Sequence, residues 1–275
     1  MAMLKLTANN YYSDEANWAY LSASSFKAFH KCEAAALAEL KGEWGRKDST
    51  ALLVGSYVDA HFSNEKEQFI ADHPEIYTRT GTLRAEFQNA EKAIARLEAD
   101  ELAKMLLSGR NQVIKTVKIG GVWFKAKFDS LLQPKQVEEI CDKFPEVRSL
   151  VPFGGAMIVD LKYMRDFKPV WDDEEKELKN FIQYWGYDIQ GAIYQKADKR
   201  NVPFVIVAVT KEEEPDITAR YVPDDELAYC LQIVEEYAPR YAAIKRGEIE
   251  PIGCGKCAYC RSHKKITSIA HYMEV

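Results

Sequence analysis

The 275-residue sequence has no apolar run near the roughly 20 residues that a membrane-spanning helix requires. Its start, Met1-Ala2-Met3-Leu4-Lys5, lacks the apolar centre of a signal peptide, so a cytoplasmic protein with no membrane partner is expected. Positive charge is not in excess either. A formal net charge of −5 argues against a protein that coats nucleic acid by bulk charge, since non-specific affinity comes from Lys and Arg on phosphates. A local basic stripe stays compatible with that total. Internal repeats, low-complexity tracts and a convincing linker are lacking as well. The simplest organisation is one domain over 1–275, with a mainly helical part (1–110), a core (111–247) and a tail (248–275). Cysteine is scarce, at six residues, yet three fall within seven positions near the end. In a reducing compartment these are thiols or metal ligands rather than disulfides. With 47% hydrophobic residues the chain can bury a sizeable core without such staples.

The pattern of what is present divides the chain. Ser22-Ala-Ser-Ser supplies N-cap oxygens, and Phe26, Phe29, Ala36, Leu37 and Leu40 follow at helical spacing up to Gly42. Further helices are predicted over Ala51 to Phe62 and over about 83–107. At Gln112 the period becomes two: a strand to Ile119, a Gly120-Gly121 turn and a strand from Val122 to Leu131 form a hairpin. Ala156 to Val159 continues as a buried strand through Asp160, Leu161 and Lys162. A long helix is expected from about Asp172 to Lys199, then strands over Pro203 to Thr210 and Ile217 to Val222, and a last helix from Pro223-Asp224-Asp225 to Gly247. Helices, three strands, a helix, one or two strands and a helix make an α/β chain.

Asp160-Leu161-Lys162 carries the chemistry. Acidic-x-Lys alone is weak evidence, because Glu39-Leu40-Lys41 and Glu177-Leu178-Lys179 share it. Those two fall in predicted helices, where positions two apart diverge, whereas Asp160 and Lys162 share one face of a strand. Asp129 closes the second hairpin strand with Trp123, Lys125 and Lys127 on its side, so phosphate attraction and metal binding would meet there. Two carboxylates with a main-chain carbonyl suffice for Mg²⁺ or Mn²⁺, which prefer hard oxygens and keep several waters. Gln183, Tyr187, Gln190 and Tyr194 form one stripe of amide and phenol groups on the following helix. Each pattern also has a plain structural reading: a solvated strand end, a charged hairpin face, an amphipathic core stripe.

Taken in this order the residues resemble the RecB-like branch of the PD-(D/E)xK nucleases, nearest the phage-type exonuclease VIII (RecE-like) group. That resemblance implies a restriction-endonuclease-like mixed central sheet flanked by helices, with a helical amino-terminal part and a cysteine-bearing tail. It implies metal ligands at His61, in Gly55-Ser-Tyr-Val-Asp-Ala-His61, and at Asp129, Asp160 and the Leu161 carbonyl, with Lys162 beside them. The family's Gln-x-x-x-Tyr falls on Gln190 and Tyr194, while Gln183 and Tyr187 offer a second register. Gln133 to Gly155 is longer than the connection usual between the two acidic strands. The activity implied is a Mg²⁺/Mn²⁺-dependent double-strand DNA exonuclease that acts on duplex ends and supplies single strands to an annealing protein; the alternative is a non-catalytic DNA-binding or assembly protein on the same fold. The oligomeric state stays open, a homo-oligomer included.

Cys254-Gly-Lys-Cys257-Ala-Tyr-Cys260 has the C-x₂-C-x₂-C spacing that begins a ferredoxin cluster site. By resemblance to iron–sulfur nucleases of this class, Cys32 is the fourth ligand of a [4Fe–4S] cluster. Zinc held by the tail cysteines with Cys32 or His263 is the rival, and free thiols the third reading. Cys141 and Cys230 read as ordinary buried cysteines.

Overall fold

Local capping chemistry breaks the long predicted helices into shorter ones. The computed structural model describes residues 4–45, 50–150, 155–173, 175–200, 202–269, 271 and 273. After α1 (Asp14–Ala19), α2 (Ala23–Lys31) begins on Ser22, whose hydroxyl accepts from Ser25 N at 3.2 Å. Cys32, in extended conformation, ends α2 before α3 (Glu33–Leu40), so the single helix expected up to Gly42 is two. Next come α4 (Thr50–Phe62), α5 (Lys66–Asp72), α6 (Ala85–Ala99) and α7 (Glu101–Leu106). The break between the last two is Asp100, whose carboxylate accepts from Ala103 N at 2.9 Å and starts a new helix instead of continuing the old one.

The hairpin β1 (Arg110–Ile119) and β2 (Val122–Leu132) turns at Gly120-Gly121, both at positive φ as a tight two-residue turn requires. The unexpectedly long connection after it contains a helix, α8 (Pro134–Lys143), with Pro134 in its first turn and Val137, Ile140 and Cys141 buried along one face. Then follow β3 (Met157–Met164), a small hairpin of β4 (Val170–Asp172) and β5 (Glu177–Lys179), α9 (Phe181–Trp185) and α10 (Tyr187–Asp198). The start of the helix expected over 172–199 is therefore hairpin, and Gly186 at φ 62° separates its helical remainder into two. The chain continues with β6 (Phe204–Thr210), β7 (Ile217–Val222), α11 (Asp224–Lys245) and α12 (Ala258–Ser262). Among the described residues no helix is long and apolar enough to cross a membrane.

The five-stranded sheet has the order β1-β2-β3-β6-β7, antiparallel except for the parallel pair β3 and β6. It is a mixed sheet with helices on both faces. One core gathers Phe26, Phe124, Phe128, Ile158, Phe204 and Leu227 beneath α2, α10 and α11. The other gathers Tyr57, Phe87, Leu97, Ile140, Met157 and Val159 beneath α4, α6 and α8. Each such fully buried side chain contributes about 1.5–3 kcal/mol, so both faces are strongly held. Gly191 sets the fit of α10 on the sheet, because a Cβ there would lie 2.4 Å from Phe204 Cδ1. The close approach brings the polar stripe of α10 down onto β3.

Candidate active site

Strand alternation on β3 puts Ile158, Asp160, Lys162 and Met164 on the side of α10, and Val159 and Leu161 in the opposite core. Asp160 is 1% exposed, in the middle of the sheet. Its Oδ1 accepts from Gln190 Nε2 at 2.7 Å, and its Oδ2 faces Lys162 Nζ at 2.5 Å. That ion pair is off-axis, and Oδ2 receives no aligned hydrogen bond from any described residue. The Lys162 ammonium offsets the charge on that buried oxygen, and the remaining lone pair stays available to a second cation. Burial disfavours the charge on Lys162, but the Asp160 and Asp129 carboxylates outweigh it and hold the ammonium above its usual range. Lys162 is thus a fixed positive charge.

Register brings Asp129 to the same place. Ser130 pairs with Val159 and Leu131 with Ile158, so one further step sets Asp129 opposite Asp160. On its other side the hairpin ladder is interrupted between Asn111↔Ser130 and Val113↔Phe128, where Gln112 has φ 54°. The pleat slips there: Phe128 and Leu131, three residues apart, enter the same core. Asp129 Oδ2 accepts from Leu161 N at 2.9 Å across the gap. Burial, with the Asp160 and Asp59 carboxylates adding to it, pushes Asp129 well above the usual carboxylate range.

The third carboxylate is Asp59 of α4, which sequence reasoning missed in favour of His61. Two helical positions lie about 200° apart, so only one of the pair can face the sheet. Val54, Tyr57, Val58 and His61 share the stripe against α6, where Tyr57 Oη donates to Glu91 and His61 Nε2 meets Glu98 Oε1 at 2.7 Å. His61 therefore leaves the expected ligand set. Asp59 points the other way, and its carboxyl is pushed up to about 6 by burial and by Asp160, against the pull of Lys162 and Lys127. The signal was there: Val54, Tyr57 and Val58 already mark the buried stripe that 61 extends and 59 does not.

On α10, Gln190 fixes Asp160, and Tyr194 is buried with its phenol raised by burial, Asp160 and Asp129. Gln183 is exposed and accepts from Asn180 Nδ2 at 2.8 Å on α9, away from Asp160. Tyr187 does reach the site, its ring centroid 5.0 Å from Lys162 Nζ and 5.2 Å from Lys27 Nζ. Beside these groups opens a cleft lined by Tyr12, Ser24, Lys27, Lys127, Asp129 and Gln190. Lys125 does not serve it as a free charge: it is 3% exposed, and its Nζ donates to the Tyr11 carbonyl and to Asn17 Oδ1. Of the two rival acidic-x-Lys triplets, Glu39-Leu40-Lys41 ends a helix as expected, but Glu177-Leu178-Lys179 is a strand, β5. It lies outside the main sheet, and Lys179 is taken by Asp172 and Glu175.

The four cysteines Cys32, Cys254, Cys257 and Cys260 converge elsewhere, with all four Sγ atoms within 4.8 Å of one another. The tail is docked by Glu33, whose carboxylate accepts from Arg240 at 2.6 and 2.8 Å and from Ile252 N at 2.8 Å. His263 is not in the group; its Nδ1 lies 2.9 Å from the Tyr259 carbonyl oxygen. Cys141 and Cys230 are buried in the two cores.

Compared with known families, residues 22–142 and 151–263 match a PDDEXK-like domain of unknown function (DUF3799). The chain belongs to this PDDEXK-like family. The match spans β2, β3 and α10, which bear Asp129, Asp160, Lys162 and Gln190. The fold agrees with the crystal structure of a "Putative exonuclease" from Eubacterium rectale, at 39% identity and a TM-score of 0.82 over 98% of this chain and 97% of that one. A structure of SSO0001, at 14% identity and a TM-score of 0.29 over 79% of this chain and 84% of that one, carries no weight. No curated protein matches the sequence. A PDDEXK-like mixed sheet with an exonuclease-like neighbour supports a nuclease, for which DNA is the substrate and divalent metals are the usual cofactors.

Proposed function

We propose that this PDDEXK-like protein is a Mg²⁺- or Mn²⁺-dependent deoxyribonuclease that shortens duplex DNA from its ends. The observation that carries the reading is the pairing of Asp160 and Lys162 on β3 with Asp129 on β2, beside a cleft edged by Lys27 and Lys127. The donor set fits a hard divalent cation: Asp160 Oδ2 has unused acceptor capacity, and Asp129 and Asp59 are raised by burial and then by the carboxylates around them, a repulsion that a cation relieves. Asp59, Asp129, Asp160 and the Leu161 carbonyl would hold it. When bound, the ion supplies charge to the scissile phosphate and lowers the pKa of a water.

The chain's own groups do the rest. Lys162, kept charged by Asp160 and Asp129, orients the attacking water and offsets charge gathering on phosphorus; a base would need a lowered pKa, opposite to its shift. Gln190 fixes the Asp160 carboxylate by donating to Oδ1, and Tyr194 closes the wall behind it. Lys27 and Lys127 give the cleft local positive charge within a chain of net −5. The exonuclease description of the Eubacterium rectale protein favours ends over internal sites. Trimmed ends would expose single strands for an annealing protein in phage-type recombination or repair, the partner class implied by the resemblance.

The test is to incubate end-labelled linear duplex and covalently closed circular duplex with Mg²⁺, Mn²⁺ or EDTA. Label released from linear DNA, intact circles and no reaction in EDTA are expected. Linearised circles would overturn the end-dependent reading, and inert DNA in both metals would overturn the nuclease.

A further inference from the structure

The spacing of the four sulfurs in the cysteine cluster bears on which metal they would hold. Cys32 Sγ lies 3.6 Å from Cys260 Sγ and 3.8 Å from Cys257 Sγ, and Cys254 Sγ lies 4.0 Å from Cys260 Sγ. Zinc holds thiolates at about 2.3 Å in a tetrahedron, which sets neighbouring sulfurs about 3.8 Å apart. A [4Fe–4S] cubane instead puts each thiolate on a different iron at an outward corner, with the whole inorganic core between the sulfurs. Four sulfurs all within 4.8 Å of one another leave no space for that core.

The surrounding backbone fixes the small size. Cys254 N donates to Cys32 Sγ at 3.4 Å, Cys257 N to Cys254 Sγ at 3.3 Å and Cys260 N to Cys257 Sγ at 3.4 Å. Such amide donors stabilise thiolate charge around one cation. A Cβ on Gly253 would stand 3.1 Å from Cys260 Sγ, so the bare glycine backbone fits closely beside the sulfurs. On the other side Ala34 N donates to the Ile252 carbonyl at 3.2 Å, and Glu33 grips Ile252 N. Opening the cage to cubane width would break these contacts together. We propose that Cys32, Cys254, Cys257 and Cys260 bind a single zinc ion in a closed tetrahedral site, in place of the iron–sulfur cluster that the C-x₂-C-x₂-C spacing suggests. The site shares no residue with the carboxylate centre.

The full chain should be purified without oxygen from cells supplied with both iron and zinc, and its zinc, iron and acid-labile sulfide measured. Expected is colourless protein with about one zinc per chain, retained in Asp160→Ala and lost in Cys257→Ser. Replacement by Co²⁺ should give the intense thiolate charge-transfer and ligand-field bands of a tetrahedral tetrathiolate. Brown protein with about four irons per chain and matching sulfide overturns the proposal, as does wild-type protein that takes up neither zinc nor cobalt. Should Cys257→Ser fail to fold, zinc X-ray absorption on the wild type decides. Four sulfurs at about 2.3 Å uphold the site, and nitrogen or oxygen neighbours overturn it.

Discussion

Two of the groups of metal-ligating side chains among the described residues, the cysteines and the carboxylates of the cleft, are built on opposite principles. The cysteine cage is closed: its four sulfurs lie within 4.8 Å of one another, each backbone turn fits them, and no position is left for a substrate. The carboxylates Asp59, Asp129 and Asp160 do not draw together in that way. Burial and the neighbouring carboxylates raise Asp59 and Asp129, Asp160 Oδ2 keeps acceptor capacity beside Lys162, and Asp129 borders a cleft. Soft thiolates packed tightly stabilise a fold, while hard carboxylates held apart keep room for water and phosphate. One cluster tethers the tail to the break between α2 and α3. The other joins Asp129 and Asp160, set opposite each other by the sheet register, to Asp59 of α4 beside an open cleft.

The comparison is broken most sharply by Asp160→Ala, which should lower kcat/KM at least about a hundredfold while the thermal transition stays near the wild-type value. More than about a tenth of the activity remaining would sink the site. Cys257→Ser should do the reverse. Cys32 and Cys260 are 228 residues apart, and loop closure over such a span is worth up to about 5 kcal/mol. A fall in Tm of roughly ten degrees or more follows, with specific activity of the folded fraction within about twofold of wild type. Activity lost faster than folded protein would show that the two clusters are coupled.

Smaller effects sharpen the picture. Gln190→Ala should cost about ten- to a hundredfold in kcat through a loosened Asp160, whereas Gln183→Ala should change little. Gln183 mattering more would reassign the wall of the cleft. In EDTA, Asp59 contributes a pH dependence of definite sign. Its folded value of about 6 exceeds the ordinary 3.8, so between those values the native state binds a proton that the unfolded chain does not. Stability gained from this group therefore rises as pH falls through about 6 and levels off below about 4. The difference in Tm between wild type and Asp59→Asn, followed from pH 8 to pH 4, should close as the pH drops; a constant difference would mean that Asp59 is not raised. The smallest effect belongs to His61→Ala, which removes a half-exposed pair with Glu98 worth up to about 1 kcal/mol and should leave kcat/KM within about twofold.

Much of this was legible in the chain. The hairpin with its Gly120-Gly121 turn, the strand carrying Asp160 and Lys162, and the buried run before Thr210 are where they were expected, because period-two patterning and paired glycines are local signals. Failures fell where capping or a glycine outweighed periodicity. Asp100 and Gly186 split helices that hydrophobic spacing alone would join, and Pro134 opens a helix inside the unusually long connection after the hairpin. Helical phase turns His61 to Glu98 and leaves Asp59 under the influence of Asp160 and Lys162, since a residue's chemistry says nothing of which way its face is turned.

By itself the sequence determined the inventory: an acidic-x-Lys strand, a second acidic strand end, an amide and phenol stripe, and three closely spaced cysteines, since each rests on residues that are neighbours along the chain. Only the tertiary structure decided which of them meet. The antiparallel step from Ser130↔Val159 to Asp129 and Asp160, the turn of α4 that presents Asp59, and the seating of α10 on Phe204 through Gly191 are long-range packing outcomes, set by two cores on opposite faces of one sheet. The width of the cysteine cage belongs with these. Spacing alone allowed iron–sulfur, zinc or nothing, and the distances between sulfurs 228 residues apart depend on how α3 and the tail pack together.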